Sequence, residues 1–438
     1  MSNYLFLRGN RNKRFFLDVA KELNKMGHKS FQLKFELGEL LFKSDIESVF
    51  VPTKLSSQAY PVTDAEILNM PIYNITYKKR FLNKETSQKE LHLYKRYMFY
   101  IDQFIEEHNI DIICLFNGYH WIDQITKHLA DKKGLKTYYF EDGLFRPFTI
   151  TCDPKGINAN SSVPEDPTFY DSLEINEDRL SRYLYKPQFV QYRKGIKESL
   201  LKVASVKAIS MMGSFLRIHP SFYAHITLWQ ASKYFIHKKI FQYRSPDKVD
   251  IPKDYLFLPF QVSRDTQILY NSDKISTMEE LLDHVYSAVQ TYNRENNKQM
   301  KIVVKEHPED ISRNNYTELK KRYKNVNNVI FLQKYDIKTL IKNAKIIVTI
   351  NSTVGIEALA MSKPVITLGE AFYNIEGIVY RCKDPEFLGD YITKALKIPL
   401  NIDRMKKFIY YLRFFYQIEG SINHVNKQTA MNVAKRIG

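Results

Sequence analysis

Three cysteines in 438 residues, Cys114, Cys152 and Cys382, are too few and too widely spaced for a disulfide frame or a thiolate metal site. They suit a reducing compartment, so a cytoplasmic protein is expected. Glycine (15) and proline (16) are also scarce, which argues against long disordered tracts. No stretch approaches the roughly 20 uncharged apolar residues that a membrane-spanning helix requires. The opening Asn3-Tyr-Leu-Phe-Leu-Arg8 reads as a short strand rather than the apolar core of a secretory leader. There is no internal repeat and no low-complexity segment. Acid is missing from one region in particular. Between Lys186 and Arg244 stand eleven Lys or Arg and a single acidic residue, Glu198.

The residues that are abundant point to a folded protein with an anionic partner. Apolar residues make up 44% of the chain, and the formal net charge is +17. A chain of this length exceeds one ordinary core, so two domains are expected. The charge fits nucleic acid, an acidic membrane surface or phosphorylated metabolites. Aromatic residues, among them Phe189, Phe215, Trp229 and Tyr243, are interleaved through the basic segment 186–244. The segment looks helical, and cations mixed with large aromatics suit a membrane-facing, interfacial helix, although charge alone does not choose among these partners. A solvated basic helix pair is the competing reading. Phe408 to Tyr416 is a second aromatic stretch, for which core packing is expected, with a second surface anchor as the alternative.

The remainder alternates strand and helix patterns. Tyr4–Leu7, Ser30–Phe35, Asp111–Phe116 and Thr137–Phe140 read as strands of one parallel sheet, with helices at Arg14–Met26 and Leu91–His108. Ser245-Pro-Asp-Lys-Val-Asp-Ile-Pro252 is a polar, proline-punctuated linker. Strands then restart at Tyr255–Leu258, Ile302–Val304, Val329–Leu332, Ile346–Ile350 and Val365–Leu368. The helices between them are expected at Thr277–Asn293, Ile311–Tyr323 and Ile337–Asn343. The expected architecture is two doubly wound α/β domains with a cleft between them. Residues 1–248 form the first, 249–400 the second, and the helices of 401–438 pack back on the first. Ligands in such sheets bind beyond the carboxyl ends of the strands.

Four clusters fall at those ends. In Ile346-Ile-Val-Thr-Ile-Asn-Ser-Thr-Val-Gly355 a buried strand runs into a helix, with Asn351, Ser352 and Thr353 at the junction. Hydroxyls and unpaired N–H groups at such a turn suit a phosphate; an ordinary strand-to-helix turn is the plain alternative. His307-Pro308 closes the strand that carries Lys305. Glu141-Asp142-Gly143 closes a strand of the first domain, beside Arg146. Because the two acids are adjacent, one is expected to face the ligand and the other to support it. Gln261, Arg264 and Asp265 follow the first strand of the second domain, where polar surface is the competing reading.

Taken in order, these clusters resemble the capsule polysaccharide biosynthesis family of retaining β-Kdo transferases, and most closely the branch that adds the first Kdo to a lipid. The residues carrying the resemblance are Glu141-Asp-Gly143, Arg146-Pro147, Thr149-Ile-Thr151, Gly156-Ile-Asn158, Ser161, Pro259-Phe-Gln261, Asp265, Gln267-Ile268, His307-Pro308, Asn351-Ser-Thr-Val-Gly355, Glu357-Ala-Leu359 and Gly369-Glu-Ala-Phe-Tyr373. The resemblance implies a GT-B fold, with CMP-Kdo as donor and no metal or other cofactor. It further implies (lyso)phosphatidylglycerol as acceptor and a cytoplasmic enzyme peripheral on the inner face of the membrane, working beside other capsule synthesis and export proteins.

Carried over, His307 and Pro308 contact the cytidine monophosphate and Ser352 and Thr353 hold its phosphate, with Asn351, Gln261 and Lys305 in the same site. Asp265 is the candidate nucleophile of a double displacement, and Glu141 or Asp142 the base for the acceptor hydroxyl, although these two roles can be exchanged. Arg146, Arg264 and Asn158 fall on the substrate side, and Lys305 is a further partner for the sugar carboxylate or acceptor phosphate. Two alternatives stand beside this reading. One is another GT-B enzyme, either a transferase using a different CMP- or UDP-sugar or a sugar-nucleotide epimerase. The other is a basic nucleic-acid- or membrane-binding protein without catalysis. No nucleic-acid module is recognisable, so no nucleic-acid partner is expected.

Overall fold

The computed structural model describes the chain except for residues 8–13, 190–198, 221–235, 238, 311–313, 315, 325 and 425. Contacts divide it into two compact units. The first comprises Met1–Ser162, Asn176–His225 and Arg413–Gly438; the second comprises Val163–Ile175 and Ile226–Leu412.

The first unit is built on seven strands: β1 (Asn3–Phe6), β2 (Lys29–Lys34), β3 (Glu47–Phe50), β4 (Ile112–Phe116), β5 (Lys136–Asp142), β6 (Thr149–Asp153) and, near the C-terminus, β13 (Ile418–Glu419). Their order is β13-β6-β5-β4-β1-β2-β3. Strands β1 to β5 are parallel, whereas β6 returns antiparallel to β5 and β13 runs antiparallel to β6. Helix Arg14–Lys25 buries Phe15, Phe16, Val19, Ala20 and Leu23 at helical spacing. They join a core with Tyr4, Phe6, Cys114, Phe140 and the inner face of helix Lys427–Ile437.

The second unit has six parallel strands: β7 (Tyr255–Pro259), β8 (Lys301–Lys305), β9 (Val329–Leu332), β10 (Ile346–Thr349), β11 (Val365–Thr367) and β12 (Tyr380–Arg381). Their order is β12-β11-β10-β7-β8-β9. Strands β7, β10 and β11 are buried along their whole length, as befits apolar runs covered on both faces. Helix Met278–Asn296 starts on a capping box at Thr277 and Glu280 and lays Leu281, Leu282, Val285 and Val289 into the core.

Both sheets wind outward in two directions from their first strand, so each unit is a doubly wound, Rossmann-like domain of the kind that makes up the GT-B class. The topological switch points lie between β1 and β4 in one unit and between β7 and β10 in the other.

Several expected boundaries shift. The described residues of 226–248, expected in the first domain, belong to the second unit. Asp247 explains this, because its carboxylate accepts the N–H groups of Gln333 (2.5 Å) and Lys334 (2.9 Å) just after β9. Residues 163–175 also fall in the second unit, where Arg404 grips Asp171 (2.6 and 2.8 Å) and Tyr170 packs on Phe408. The tail divides. Residues up to Leu412 stay with the second unit, while Arg413 onward returns to the first through the β13–β6 pairing.

The expected helix over 311–323 is shorter, Thr317–Arg322, with Tyr316 ahead of it in the left-handed region (φ 49°); residues 311–313 and 315 lie outside the described residues. Within 186–244 the described helical residues are Leu200–Phe215 and, near its end, 236–237 and 239–243. The rest of that expectation, at 190–198, 221–235 and 238, lies outside the described residues.

Candidate active site

In the second unit the switch point is stitched together by two amides. Gln261, just beyond β7, donates from Nε2 to Asn351 Oδ1 (2.9 Å), and its Oε1 accepts Asn351 N–H (3.1 Å). Asn351 Nδ2 in turn donates to the carbonyls of Gln267 (3.0 Å) and Asn271 (3.2 Å). Both side chains are buried. The sequence reading placed them among the nucleotide ligands. Here their polar groups are engaged inside the protein, and they act by positioning the turns on either side.

Those turns carry the candidate chemistry. Ser352 Oγ accepts the N–H of Val354 (3.2 Å), the first residue of the helix Val354–Ala360, whose N-cap position is Thr353. Thr353 is exposed at the turn. Tyr373, wholly buried, donates its hydroxyl to the Ser352 carbonyl (2.5 Å), and burial raises its pKa far above the ordinary phenol value. Gly355 makes that contact possible. A β-carbon there would lie 2.6 Å from the Tyr373 hydroxyl and 2.8–2.9 Å from its ring.

Asp265 is the N-cap of helix Thr266–Asn271. One carboxylate oxygen, Oδ1, accepts Gln267 N–H (3.0 Å) and the Thr266 hydroxyl (3.3 Å). Among the described residues Oδ2 accepts no hydrogen bond. The carboxylate is therefore oriented through one oxygen and presents the other. Its helix is the one whose carbonyls Asn351 binds, so Asp265 and the Ser352–Thr353 turn share one hydrogen-bonded frame. Arg264 beside it is exposed.

After β8, His307 Nδ1 accepts Glu309 N–H (3.2 Å), which places the proton of a neutral ring on Nε2. His307 is half-buried and Pro308 exposed. The loop is fastened by Asp310, a wholly buried residue that sequence reasoning passed over. Its carboxylate accepts Ser263 N–H (3.2 Å), Ser263 Oγ (2.9 Å) and the Tyr316 hydroxyl (2.5 Å), tying the β7 and β8 loops together.

Lys305 lies apart from this arrangement. Its buried ammonium points to the carbonyls of Glu306 (3.5 Å) and Gln333 (3.4 Å). Burial lowers its pKa, with Asp247 and Glu306 acting the other way. The geometry describes a structural cation rather than a ligand contact.

In the first unit the period of two along β5 sends Glu141 and Asp142 to opposite faces. Glu141 accepts Asn117 Nδ2 on Oε1 (3.2 Å) and Asn158 Nδ2 on Oε2 (3.3 Å). Asn117 follows β4, and both asparagines adopt left-handed backbone (φ 70° and 52°). Asp142 instead accepts Asn423 Nδ2 (2.9 Å) from the C-terminal segment. Arg146 is exposed, its Nε donating to the Gly143 carbonyl (3.2 Å) across a turn with a cis Arg146–Pro147 peptide.

The loop that delivers Asn158 hangs on Asp153, wholly buried and also missed from sequence. It accepts the N–H groups of Lys155 (2.7 Å), Gly156 (3.1 Å) and Ser162 (2.7 Å), together with the Ser162 (2.9 Å) and Tyr416 (2.9 Å) hydroxyls. The Asn117-Gly118 pair at a strand end was the available signal for Asn117. Asp153 and Asp310 carried none, because a buried carboxylate reads like any surface acid.

Comparison with known proteins bears on the family. A family described as "Capsule polysaccharide biosynthesis protein" matches residues 111–388. Protein FixF of Sinorhizobium fredii is 29% identical over 326 residues, covering 74% of this chain and 64% of that protein, just under two thirds of its length. The capsule polysaccharide export protein KpsS of Escherichia coli is 27% identical over 292 residues, covering 63% and 71%. Among solved structures, the β-Kdo 2,7 transferase KpsC of Thermosulfurimonas dismutans aligns at 17% identity and TM-score 0.38, covering 86% of this chain and 98% of that one. A UDP-GlcNAc 2-epimerase of Methanocaldococcus jannaschii aligns at 12% identity and TM-score 0.33, covering 100% and 99%.

Proposed function

The chain belongs to the capsule polysaccharide biosynthesis family, and from that footing we propose that it is a glycosyltransferase. The proposed reaction moves β-Kdo from CMP-Kdo to a lipid acceptor, (lyso)phosphatidylglycerol, at the inner face of the cytoplasmic membrane. The observation that carries the proposal is the frame in the second unit. A strand-to-helix turn with two hydroxyls and a carboxylate with one uncommitted oxygen are held by the same Gln261–Asn351 pair.

The chemistry follows from those groups. Ser352 and Thr353 receive the phosphate of CMP, and His307 approaches the nucleotide. Hydrogen-bond donors fixed in advance stabilise the departing phosphate monoester. Asp265 Oδ2 attacks the anomeric carbon as CMP leaves, forming a glycosyl ester with inversion. Glu141 or Asp142 then takes the proton of the acceptor hydroxyl, whose oxygen displaces Asp265 with a second inversion and so net retention. Asn117 and Asn158 favour Glu141 for this proton transfer, since two amide donors hold its carboxylate in place. Arg146 and Arg264 supply exposed positive charge for the sugar carboxylate or the acceptor phosphate.

The test is direct. The protein is incubated with CMP-Kdo generated in situ and a fluorescent lyso-phosphatidylglycerol, and the lipid is weighed by mass spectrometry. A gain of one Kdo is expected. No gain, accompanied by tight RNA binding, would sink the proposal.

A further inference from the structure

The helix Leu200–Phe215 has two unlike faces. One is fastened to the segment that follows β2. Val206 and Ser210 are buried, Gly38 N–H donates to Ser210 Oγ (3.3 Å), and Ser210 Oγ donates to Glu36 (3.0 Å). The approach is so close that a β-carbon on Gly38 would collide with the Val206 carbonyl. The helix is thus docked in a defined orientation, and its other face is turned outward. Leu201 (81% exposed), Met212 (51%), Phe215 (86%) and Leu216 (58%) stand on that face with Met211, and Ala204 and Ala208 fill the helical spacing between them. A soluble protein seldom leaves large apolar groups such as Met211, Met212, Phe215 and Leu216 exposed together at one helix end.

The surroundings of these groups say what would cover them. From Ser199 to Pro220 there is no acidic residue, while Lys202, Lys207 and Arg217 are present. Lys202 lies over the Phe42 ring (4.3 Å) and lines a groove of about 750 Å³. That groove also draws on Arg14, Lys21, Lys25 and Lys43 and on Asp18 and Asp45. Lys21 pairs with Asp45 (3.1 Å) and Lys25 with Glu22 (2.6 Å), and the lining cations still outnumber the lining acids. An apolar patch bordered by cations matches the boundary between acyl chains and anionic headgroups. Among the described residues no helix is long and apolar enough to cross a membrane, so this surface would lie on the bilayer.

We infer that helix Leu200–Phe215 is the membrane-docking element of the first unit. Its exposed apolar groups enter the outer acyl region of an anionic bilayer, and the adjoining cationic groove takes the headgroups. This deepens the proposed function by assigning the surface through which the enzyme meets its lipid.

The experiment is co-sedimentation of the whole protein with vesicles of phosphatidylcholine alone or with added phosphatidylglycerol. Binding is expected only to the anionic vesicles and should weaken with salt. Met212→Ser combined with Phe215→Ser should bind at least about tenfold more weakly, since withdrawing each large apolar side chain from water is worth more than a tenfold change. Lys202→Glu with Lys207→Glu should erase the preference for anionic vesicles. Circular dichroism of each variant guards against misfolding.

An environment-sensitive dye on Phe215→Cys, selective because Cys114, Cys152 and Cys382 are buried, should shift to the blue on anionic vesicles alone. Wild-type protein left in the supernatant, or serine variants that bind like wild type, would overturn the inference. A dimer broken by the serine variants, with no vesicle binding, would do the same. Vesicle binding without sugar transfer would leave the docking intact and refute only the transferase reading. The serine variants should still glycosylate a short-chain, water-soluble acceptor.

Discussion

Replacing Asp265 by asparagine and by alanine separates the two duties of one carboxylate. Oδ1 caps a helix through Gln267 N–H, and Oδ2 is the proposed nucleophile. Asparagine caps about as well as aspartate, so Asp265→Asn keeps the cap and loses only the charge at the helix start, about 0.3–1 kcal/mol. Alanine removes the cap, at about 0.5–2 kcal/mol. A unit of this size melts about 2–4 °C lower per kcal/mol lost. Calorimetry should therefore show a smaller drop for asparagine than for alanine, and neither variant should unfold at working temperature.

Transfer should behave differently. Neither an amide nor a methyl group can form the glycosyl ester, so both variants should lose roughly 10³-fold or more in turnover, about 4 kcal/mol of barrier. CMP binding, measured by isothermal titration, should stay within a few-fold of wild type. Asp265→Asn retaining a tenth of wild-type turnover would refute the assignment. So would losses that simply track the melting temperatures, since they would reduce Asp265 to its cap.

Three further outcomes follow from the packing. Gly355→Ala drives a methyl into Tyr373 and should cost about 1–3 kcal/mol of stability; CMP affinity should fall with it, read by titration, because the Ser352 turn must move. Glu419→Ala strands Arg413, a guanidinium 1% exposed whose pKa burial already lowers and Glu419 raises. Urea denaturation should register a loss of about 3–5 kcal/mol, with faster proteolysis near Gln188, which Glu419 also holds.

Lys305→Met tests the structural cation. Because burial lowers the Lys305 pKa, the unfolded chain binds that proton more tightly, and the residue weakens the fold at neutral pH. The penalty fades as pH climbs toward the ordinary lysine value of about 10.4. The variant should be at least as stable as wild type at neutral pH, with the gain shrinking at alkaline pH, and should bind CMP normally.

The fold was legible in the sequence where long apolar runs spoke for themselves. Ile346–Thr349 and Tyr255–Pro259 are strands because their residues are β-prone and covered on both faces. The alternation of strand and helix patterns carried the doubly wound class. Two-residue strands such as β12 and β13 left no trace, since no period can be read from two residues. The unit boundary was misplaced for a related reason. Pro246 and Pro252 mark a linker by composition, yet Asp247 binds it to the turn after β9, a contact between residues 86 and 87 positions apart.

At the site, the sequence by itself determined which chemical groups stand at strand ends. These are Glu141 with Asp142, Gln261 to Asp265, His307-Pro308, and Asn351 to Thr353. Only the tertiary structure decided how each is used. Gln261 and Asn351 spend their amides on each other, Lys305 is buried against carbonyls, and Glu141 and Asp142 part to opposite faces. Tyr373, quoted in a motif without a role, holds the Ser352 carbonyl. Asp153 and Asp310 secure the loops on which Asn158 and His307 ride. The physical reason is that composition and spacing reveal what a residue can donate or accept. Whether that capacity meets a ligand or a neighbour depends on partners far along the chain, and folding alone brings them together.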